Sequence, residues 1–374
     1  MKRLLFYSEA WGRGGIETFI KNVFPDLISH GFTVEIMTTW SWSGIDEPVV
    51  DCSGLRRTCV FRGYRPNQLK RLLCGLRVWR SMIKTGSYDA VWINTMNGTG
   101  FLYSAIAHHY GVSARVVHSH NSDVGDGMKR LKRAAGKFCS FIFGWSSTLN
   151  VACSAEAGNY LFGSRPYQVI PNGIDIERFQ FSSICRNEIR RQLNVQEHEQ
   201  LIGNIGRICQ QKNPLFQVEV FAEYKRLNPK AKYLMLGRGD MKEEVIALAS
   251  KLGVAEDLMI RDSVDDPAPY YSALDALLMP SLYEGFGFVK IEAQCASLPI
   301  LCTEGLPEES DITDLVKTCT LSAAPRVWAR HLYDLVVRTN GERSADYASE
   351  VGRAGYSLQA CSDAVLSCLG GEEQ

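Results

Sequence analysis

Ser281-Leu-Tyr-Glu-Gly-Phe-Gly-Phe-Val-Lys-Ile-Glu-Ala-Gln294 follows directly on the apolar run Ala276-Leu-Leu-Met-Pro280. The apolar run reads as a buried strand, and the stretch after it as a glycine turn that opens a helix. Two carboxylates, Glu284 and Glu292, bracket that turn and the first turns of the helix. Gly285 and Gly287 let the backbone approach a ligand closely. The N–H groups that follow point out of a helix start, where anionic groups bind. A fixed carboxylate only accepts hydrogen bonds, which suits neighbouring sugar hydroxyls. Strand, glycine turn, helix and two carboxylates, in this order, point to a site for a phosphorylated sugar.

Outward from this segment the chain reads as two halves that open with the same phrase of strand, loop and helix. In the first half a strand is expected at 3–8, a glycine loop at 12–15 and an amphipathic helix at 16–30. In the second half the strand is expected at 201–205, the loop at 206–212 and the helix at 214–226. Further strands are expected at 33–37, 90–93, 115–118 and 149–152, then at 232–236, 258–261, 275–279 and 299–302. Helices at 67–84 and 101–109 fill gaps between them. Short apolar and β-branched runs alternating with helical spacing predict α/β architecture, with parallel sheets covered on both faces. Right-handed crossovers then bring the C-terminal ends of the strands, and the loops after them, to one edge of each sheet. The expected division is an N-terminal domain over 1–176 and a C-terminal domain over 184–355. A last helix over 357–369 ends in a frayed tail.

The length of 374 residues suits two domains. Hydrophobic content of 45% with 22% charged residues is that of a soluble globular chain and excludes an intrinsically disordered one. No window is long and apolar enough for a transmembrane helix. The twelve cysteines include no C-x-x-C pair and sit mostly among apolar residues, which reads as reduced thiols in a cytoplasmic compartment. No His/Cys cluster has metal-ligand spacing, so no metal is expected. The zero net charge hides an asymmetry. Residues 1–182 carry 21 basic and 13 acidic side chains, and the remainder 20 and 28. Between Cys52 and Ala90 only Asp89 is acidic, against nine basic residues from Arg56 to Lys84. A second acid-free stretch runs from Gly127 to Ala155 with Lys129, Arg130, Lys132, Arg133 and Lys137, interspersed with Leu131, Phe138, Phe141, Ile142 and Trp145. Such runs are either solvated helix faces or contacts with an anionic membrane surface or a pyrophosphate-bearing acceptor.

Six blocks, taken in order, carry a resemblance: Gly14-Gly15, His118-Ser-His-Asn121, Ile170-Pro-Asn-Gly-Ile-Asp175, Gly206-Arg207 with Lys212-Asn213, Leu236-Gly-Arg-Gly239, and the E-x7-E pair Glu284 and Glu292. Together they resemble the retaining glycosyltransferases of family 4, over nearly the whole chain. The resemblance implies the GT-B fold: two Rossmann-like domains whose parallel sheets face an interdomain cleft. It implies a donor domain in the second half, an acceptor domain in the first, and a C-terminal helix crossing back to the first domain. The blocks around His118, Ala152 and Glu292 look most like bacterial exopolysaccharide and capsular polysaccharide transferases. Many of those carry Glu-Gly-Leu-Pro where this chain has Glu284-Gly-Phe-Gly287, which leaves the acceptor open.

The resemblance also implies roles. Arg207 and Lys212 neutralise the diphosphate of a nucleotide sugar, and so stabilise the charge that grows on it as the glycosidic bond breaks. Glu284 lies by the donor sugar and Glu292 on the ribose hydroxyls. The backbone at Phe286, Gly287 and Phe288 contacts the sugar or phosphate. Gly14 and Gly15 form a loop over the diphosphate and acceptor. Gly237 lies beside the nucleotide and Val264 near the base. His120 hydrogen-bonds a sugar hydroxyl or handles a proton, with His118 in support. No cofactor is expected, and UDP-sugars are favoured over GDP-sugars as donor. The partners expected are that donor, a lipid-diphosphate-linked saccharide acceptor and an anionic membrane at its inner face, with no nucleic acid. Two rivals stay open: a non-catalytic sugar-nucleotide-binding protein on the same fold, and a GT-B phosphorylase.

Overall fold

The computed structural model describes residues 2–12, 14–41, 55–120, 129–284, 286–339, 343 and 346–370, with 129–133 and 346 described by backbone alone. Gly285 of the glycine turn and Asn121 of the histidine block lie outside these residues. The chain divides into two compact units, Met1–Gly173 with Leu358–Gln374, and Ile174–Ser357.

The first unit runs β1 (Lys2–Trp11), α1 (Gly15–Ser29), β2 (Phe32–Ser41), β3 (Arg56–Phe61), α2 (Gln68–Gly86), β4 (Ala90–Thr95), α3 (Gly100–His109), β5 (Ala114–Ser119), α4 (Lys129–Phe143), β6 (Leu149–Ala152), α5 (Ala155–Phe162) and β7 (Gln168–Val169). The second runs α6 (Ile176–Phe179), α7 (Ser183–Gln192), β8 (Leu201–Ile205), α8 (Pro214–Leu227), β9 (Lys232–Leu236), α9 (Lys242–Leu252), β10 (Leu258–Arg261), α10 (Ala268–Ala273), β11 (Ala276–Met279), α11 (Phe288–Cys295), β12 (Ile300–Thr303), β13 (Val316–Cys319), α12 (Pro325–Thr339) and α13 (Asp346–Val351). The chain then returns to the first unit for α14 (Leu358–Cys368).

Each unit holds one sheet, parallel throughout. Its strand order is β3-β2-β1-β4-β5-β6-β7 in the first and β10-β9-β8-β11-β12-β13 in the second. The middle strands are apolar on both faces because helices cover both faces. Leu4, Leu5 and Phe6 of β1 and Val91, Trp92 and Ile93 of β4 are fully buried. One face of the first sheet is covered by α1 and α14 together: Phe19 and Val23, with Cys361, Val365 and Leu366, share a core with Leu4, Phe6, Ile36 and Trp92. In the second unit Val218, Phe221 and Tyr224 of α8 and Trp328 and Leu332 of α12 close over Ile202, Tyr233 and Leu278.

The interior strands fall where the sequence places them. β3, β7 and β13 do not stand out in the sequence, and all three are sheet edges. An edge strand is covered incompletely and needs no continuous apolar run. β3 opens on Arg56 and Arg57, β7 is exposed, and β13 exposes Lys317 and Thr318. β1 and β2 also run past their expected ends, because their pairing continues through Ala10 with Trp40 and Trp11 with Ser41.

Candidate active site

In the second unit the loops after β8, β9 and β10 are laced by backbone hydrogen bonds. Gly206 N–H donates to the Leu236 carbonyl at 2.9 Å, Gly237 N–H to Arg261 at 2.8 Å, and Ile208 N–H to Arg238 at 2.9 Å. Gly237 has φ +157°, and a Cβ there would lie 1.9 Å from the Gly206 carbonyl oxygen. A Cβ on Gly239 would lie 1.8 Å from the Ile208 carbonyl oxygen. Both glycines are therefore demanded by loop-on-loop packing, whatever else they contact. Val264 is half-buried in the loop that follows β10.

Arg207 and Lys212 stand on the loop after β8. Arg207 is exposed, and its guanidinium donates to Gln211 Oε1 at 3.0 Å. Gln211 is fixed in turn: its Nε2 donates to the Tyr283 carbonyl at 3.0 Å, and its own carbonyl accepts Leu282 N–H at 2.8 Å. The β8 loop and the segment after β11 are thus joined before any ligand arrives. Lys212 completes the join, with Nζ donating to Glu284 Oε1 at 2.6 Å. That pair is largely buried, with side-chain exposures of 11% and 8%. A lysine and a glutamate hidden together at a strand end give a compact pair of opposite charges, each offsetting the cost of burying the other.

Gly287 caps α11 in the left-handed region, φ +84°, and a Cβ there would meet nothing closer than 3.8 Å. Here glycine answers a backbone angle and not a lack of space. The N–H groups of Phe288 and Val289 begin the helix without an intrahelical acceptor, the usual state of a first turn. One turn on, Glu292 accepts a hydrogen bond from Tyr271 Oη at 2.5 Å. Burial pushes its carboxyl up to about 7, against the opposing pull of the Tyr271 hydrogen bond and of Arg178 and Lys212. Burial and the Glu292 charge raise the Tyr271 hydroxyl as well. The second unit therefore gathers Arg207, Lys212, Glu284, Gly287, Phe288 and Glu292 along the ends of β8 and β11.

In the first unit His120 follows β5. Asn94 Nδ2 donates to the Tyr7 carbonyl at 3.1 Å, so Asn94 Oδ1 is an acceptor. The 2.8 Å contact between that oxygen and His120 Nε2 then requires the proton on Nε2. Burial pushes this imidazole down to about 3, so it is neutral at working pH and offers Nδ1 as an acceptor. The arrangement suits a hydrogen bond from a hydroxyl and does not suit a general acid. His118 lies against it, ring centroids 3.8 Å apart, and accepts from Trp92 Nε1 at 3.2 Å. Its Nε2 is buried and lacks a hydrogen-bond partner among the described residues. Phe19 of α1 packs on both rings.

Gly14 caps α1 and Gly15 is its first residue. Glu17, which belongs to none of the sequence blocks, organises this loop. Its buried carboxylate accepts Gly12 N–H at 3.0 Å, and the backbone N–H groups of Gly14 and Glu17 lie near enough to favour its charge. Burial raises its pKa, and those N–H groups lower it. A Cβ on Gly14 would lie 2.7 Å from Glu17 Oε2. The glycine at 14 is thus explained by close approach to Glu17. Asn94 and Tyr271 escape a reading of the sequence, since nothing local marks them. Near the end of β1, Arg71 of α2 pairs with Glu9 at 2.8 Å. Arg71 is 7% exposed, and its Nε has no hydrogen-bond partner among the described residues. Arg65 lies close enough for Arg71 to lower its pKa, after burial. Among the described residues no three His, Cys, Asp or Glu side chains are grouped to hold a metal ion.

Comparison with known proteins matches residues 13–178 to the family "Glycosyltransferase Family 4" and residues 186–326 to "Glycosyl transferases group 1". The putative glycosyltransferase EpsF of Bacillus subtilis is 25% identical, over 98% of this chain and 96% of its own length. A D-inositol 3-phosphate glycosyltransferase of Segniliparus rotundus is also 25% identical, over 95% of this chain and 84% of its own. The crystal structure of Anabaena HepE in complex with UDP and glucose superposes over the full length of both chains, with a TM-score of 0.80 at 17% identity, a likeness of fold.

Proposed function

We propose that this chain, a glycosyltransferase of the GT-B type, moves a hexosyl or N-acetylhexosaminyl group from a UDP-sugar to a saccharide acceptor carried on a lipid diphosphate, with retention at the anomeric carbon. The observation that carries the reading is the buried Lys212–Glu284 pair at 2.6 Å, on the loop ends of β8 and β11. The donor diphosphate takes up the positive charge of Lys212 and Arg207. Charge grows on that diphosphate as the bond to the anomeric carbon breaks, and fixed cations stabilise the transition state more than the ground state. Release of Lys212 toward the phosphate leaves Glu284 to the sugar. Glu292 takes the ribose hydroxyls, His120 accepts from a sugar hydroxyl through Nδ1, and Phe286, Gly287 and Phe288 supply backbone contacts to the donor. The acceptor's phosphate is met by the first unit, whose support is Arg71 and Arg65 beside Glu9. UDP in complex with the fold neighbour HepE supports the choice of base. A role in exopolysaccharide or capsule assembly, in the cytoplasm at the inner face of the membrane, follows from such an acceptor. The experiment is nucleotide release from a panel of UDP- and GDP-sugars, with and without lipid-linked acceptor. Tight binding without release would favour a non-catalytic sugar-nucleotide-binding protein.

The division between the two glutamates is measurable. Glu292→Gln is expected to weaken UDP itself, by about 1–3 kcal/mol for a lost charge-assisted hydrogen bond. Glu284→Gln is expected to impair the UDP-sugar more than bare UDP. Calorimetric titration of both ligands decides it, and equal losses on bare UDP would end the division.

A pH dependence follows from the same carboxyl. Glu292 carries a proton below about 7 in the free protein. Accepting two ribose hydroxyls requires the carboxylate, so binding releases that proton. Affinity for UDP-glucose should rise with pH below about 7, by up to roughly tenfold per unit, and level off above it. A UDP-sugar has no terminal phosphate monoester to titrate in that range. Glu292→Gln should flatten the profile; a wild-type profile already flat from pH 5.5 to 8 would remove the ribose role.

A further inference from the structure

We propose that the outer face of α4 docks the protein onto an anionic lipid bilayer. Phe138, Phe141, Ile142 and Trp145 are 64%, 79%, 40% and 64% exposed. Their spacing places them on one helical face, continued into the short 3-10 turn Gly144–Ser146 that follows. The helix is not free to turn that face inward. Gly136 packs so closely on Gly98 that a Cβ on Gly98 would lie 1.9 Å from the Gly136 carbonyl oxygen. Arg165 Nη1 donates to Ser140 Oγ at 3.0 Å, and its Nη2 to the Ser140 carbonyl at 2.5 Å. At about 100° per residue, Gly136 and Ser140 lie roughly opposite the apolar four. His108 of α3 sets the Trp145 ring edge-on at a centroid distance of 5.0 Å, so the indole is held outward and not loose.

An apolar patch of this kind on a folded unit marks an interaction surface. The charge around it selects the occupant. From Gly127 to Ala155 the chain has no acidic residue, and α4 carries Lys129, Arg130, Lys132, Arg133 and Lys137. A second copy docking through this helix would bring a second acid-free, cation-rich segment up against the first. A bilayer rich in anionic lipid neutralises them and takes the aromatic side chains at its headgroup boundary. No helix of the described residues is long and apolar enough to cross a membrane, so the contact is peripheral. The inference rests on the proposed lipid-linked acceptor only for its purpose. Vesicle binding is read without turnover, so its failure would leave the donor chemistry standing.

The test is co-sedimentation of the full chain with vesicles of phosphatidylcholine alone and of phosphatidylcholine with phosphatidylglycerol. Binding is expected to the second and not the first, and to fall roughly tenfold or more between low and high salt. The triple variant Phe138→Ser, Phe141→Ser, Trp145→Ser should lose at least about tenfold in partitioning. Lys129→Ser, Arg130→Ser, Lys132→Ser and Arg133→Ser together should abolish the preference for anionic lipid. Thermal stabilisation by UDP, unchanged in both variants, shows that each still folds. Equal, salt-independent binding to both vesicles, no binding at low salt, or full binding by the folded triple variant would overturn the proposal. So would a dimer in solution that the triple variant dissolves.

Discussion

Lys212→Ala is expected to lower turnover of the sugar donor about 10²–10³-fold, or roughly 3–4 kcal/mol of transition-state stabilisation. The size follows from position. Lys212 Nζ is 2.6 Å from Glu284 and largely out of water, where a charge opposing the departing diphosphate is screened least. The same change leaves the Glu284 carboxylate buried without its lysine, and removal of one partner of a buried pair destabilises by about 3–5 kcal/mol. The double variant Lys212→Ala, Glu284→Gln removes that buried charge and so isolates the stability cost, Glu284 being itself placed on the donor sugar. Stability should largely return, and turnover should not. Arg207→Ala gives a cleaner reading, because Arg207 is exposed and is held through Gln211. It should cost turnover with little change in melting temperature. Denaturation and initial rates, measured on the same preparations, distinguish the two contributions. Recovery of turnover along with stability in the double variant would show that Lys212 only neutralises Glu284.

Gly237→Ala is expected to destabilise the second unit by about 3–5 kcal/mol, the largest structural effect among the glycines of the site. Two costs combine. The residue sits at φ +157°, and the new methyl would overlap the Gly206 carbonyl oxygen, a backbone atom that cannot swing aside. Gly287→Ala makes the informative contrast. That position needs φ +84° but has open space, so only about 1–2 kcal/mol of left-handed strain is expected. Denaturant titration of both variants is the check. Equal small losses would mean that the β8 and β9 loops can move apart, and Gly237 would return to being a ligand-side glycine alone.

The interior of both sheets is legible in the sequence because a strand covered on both faces must be apolar throughout, as 90–93 and 233–236 are. Edge strands carry no such demand, and Arg56-Arg57 at the start of β3 reads as surface. The glycine turn with Glu284 and Glu292 is legible because carboxylates inside an apolar segment ask for a reason. Their partners are not. Tyr271 lies on α10, and only the fold brings its hydroxyl to Glu292. Asn94 fixes the His120 tautomer from a neighbouring strand. Glu17 is within reach of the sequence: it stands three residues after the cap Gly14, the spacing at which a helix-start glutamate turns back onto the cap N–H. That spacing assigns the loop's glycines to a carboxylate as well as to a ligand. The outward turn of Phe141 and Trp145 cannot be told from a buried face by periodicity, since both produce the same stripe.

The most direct measurement is release of UDP from UDP-sugars in the presence of a lipid-diphosphate-linked acceptor, comparing the native chain with Arg207→Ala, Lys212→Ala. The expected result is acceptor-dependent release by the native chain, reduced by at least about 10²-fold in the double variant. Equal release by the two folded proteins would contradict the assignment of the diphosphate site to the β8 loop.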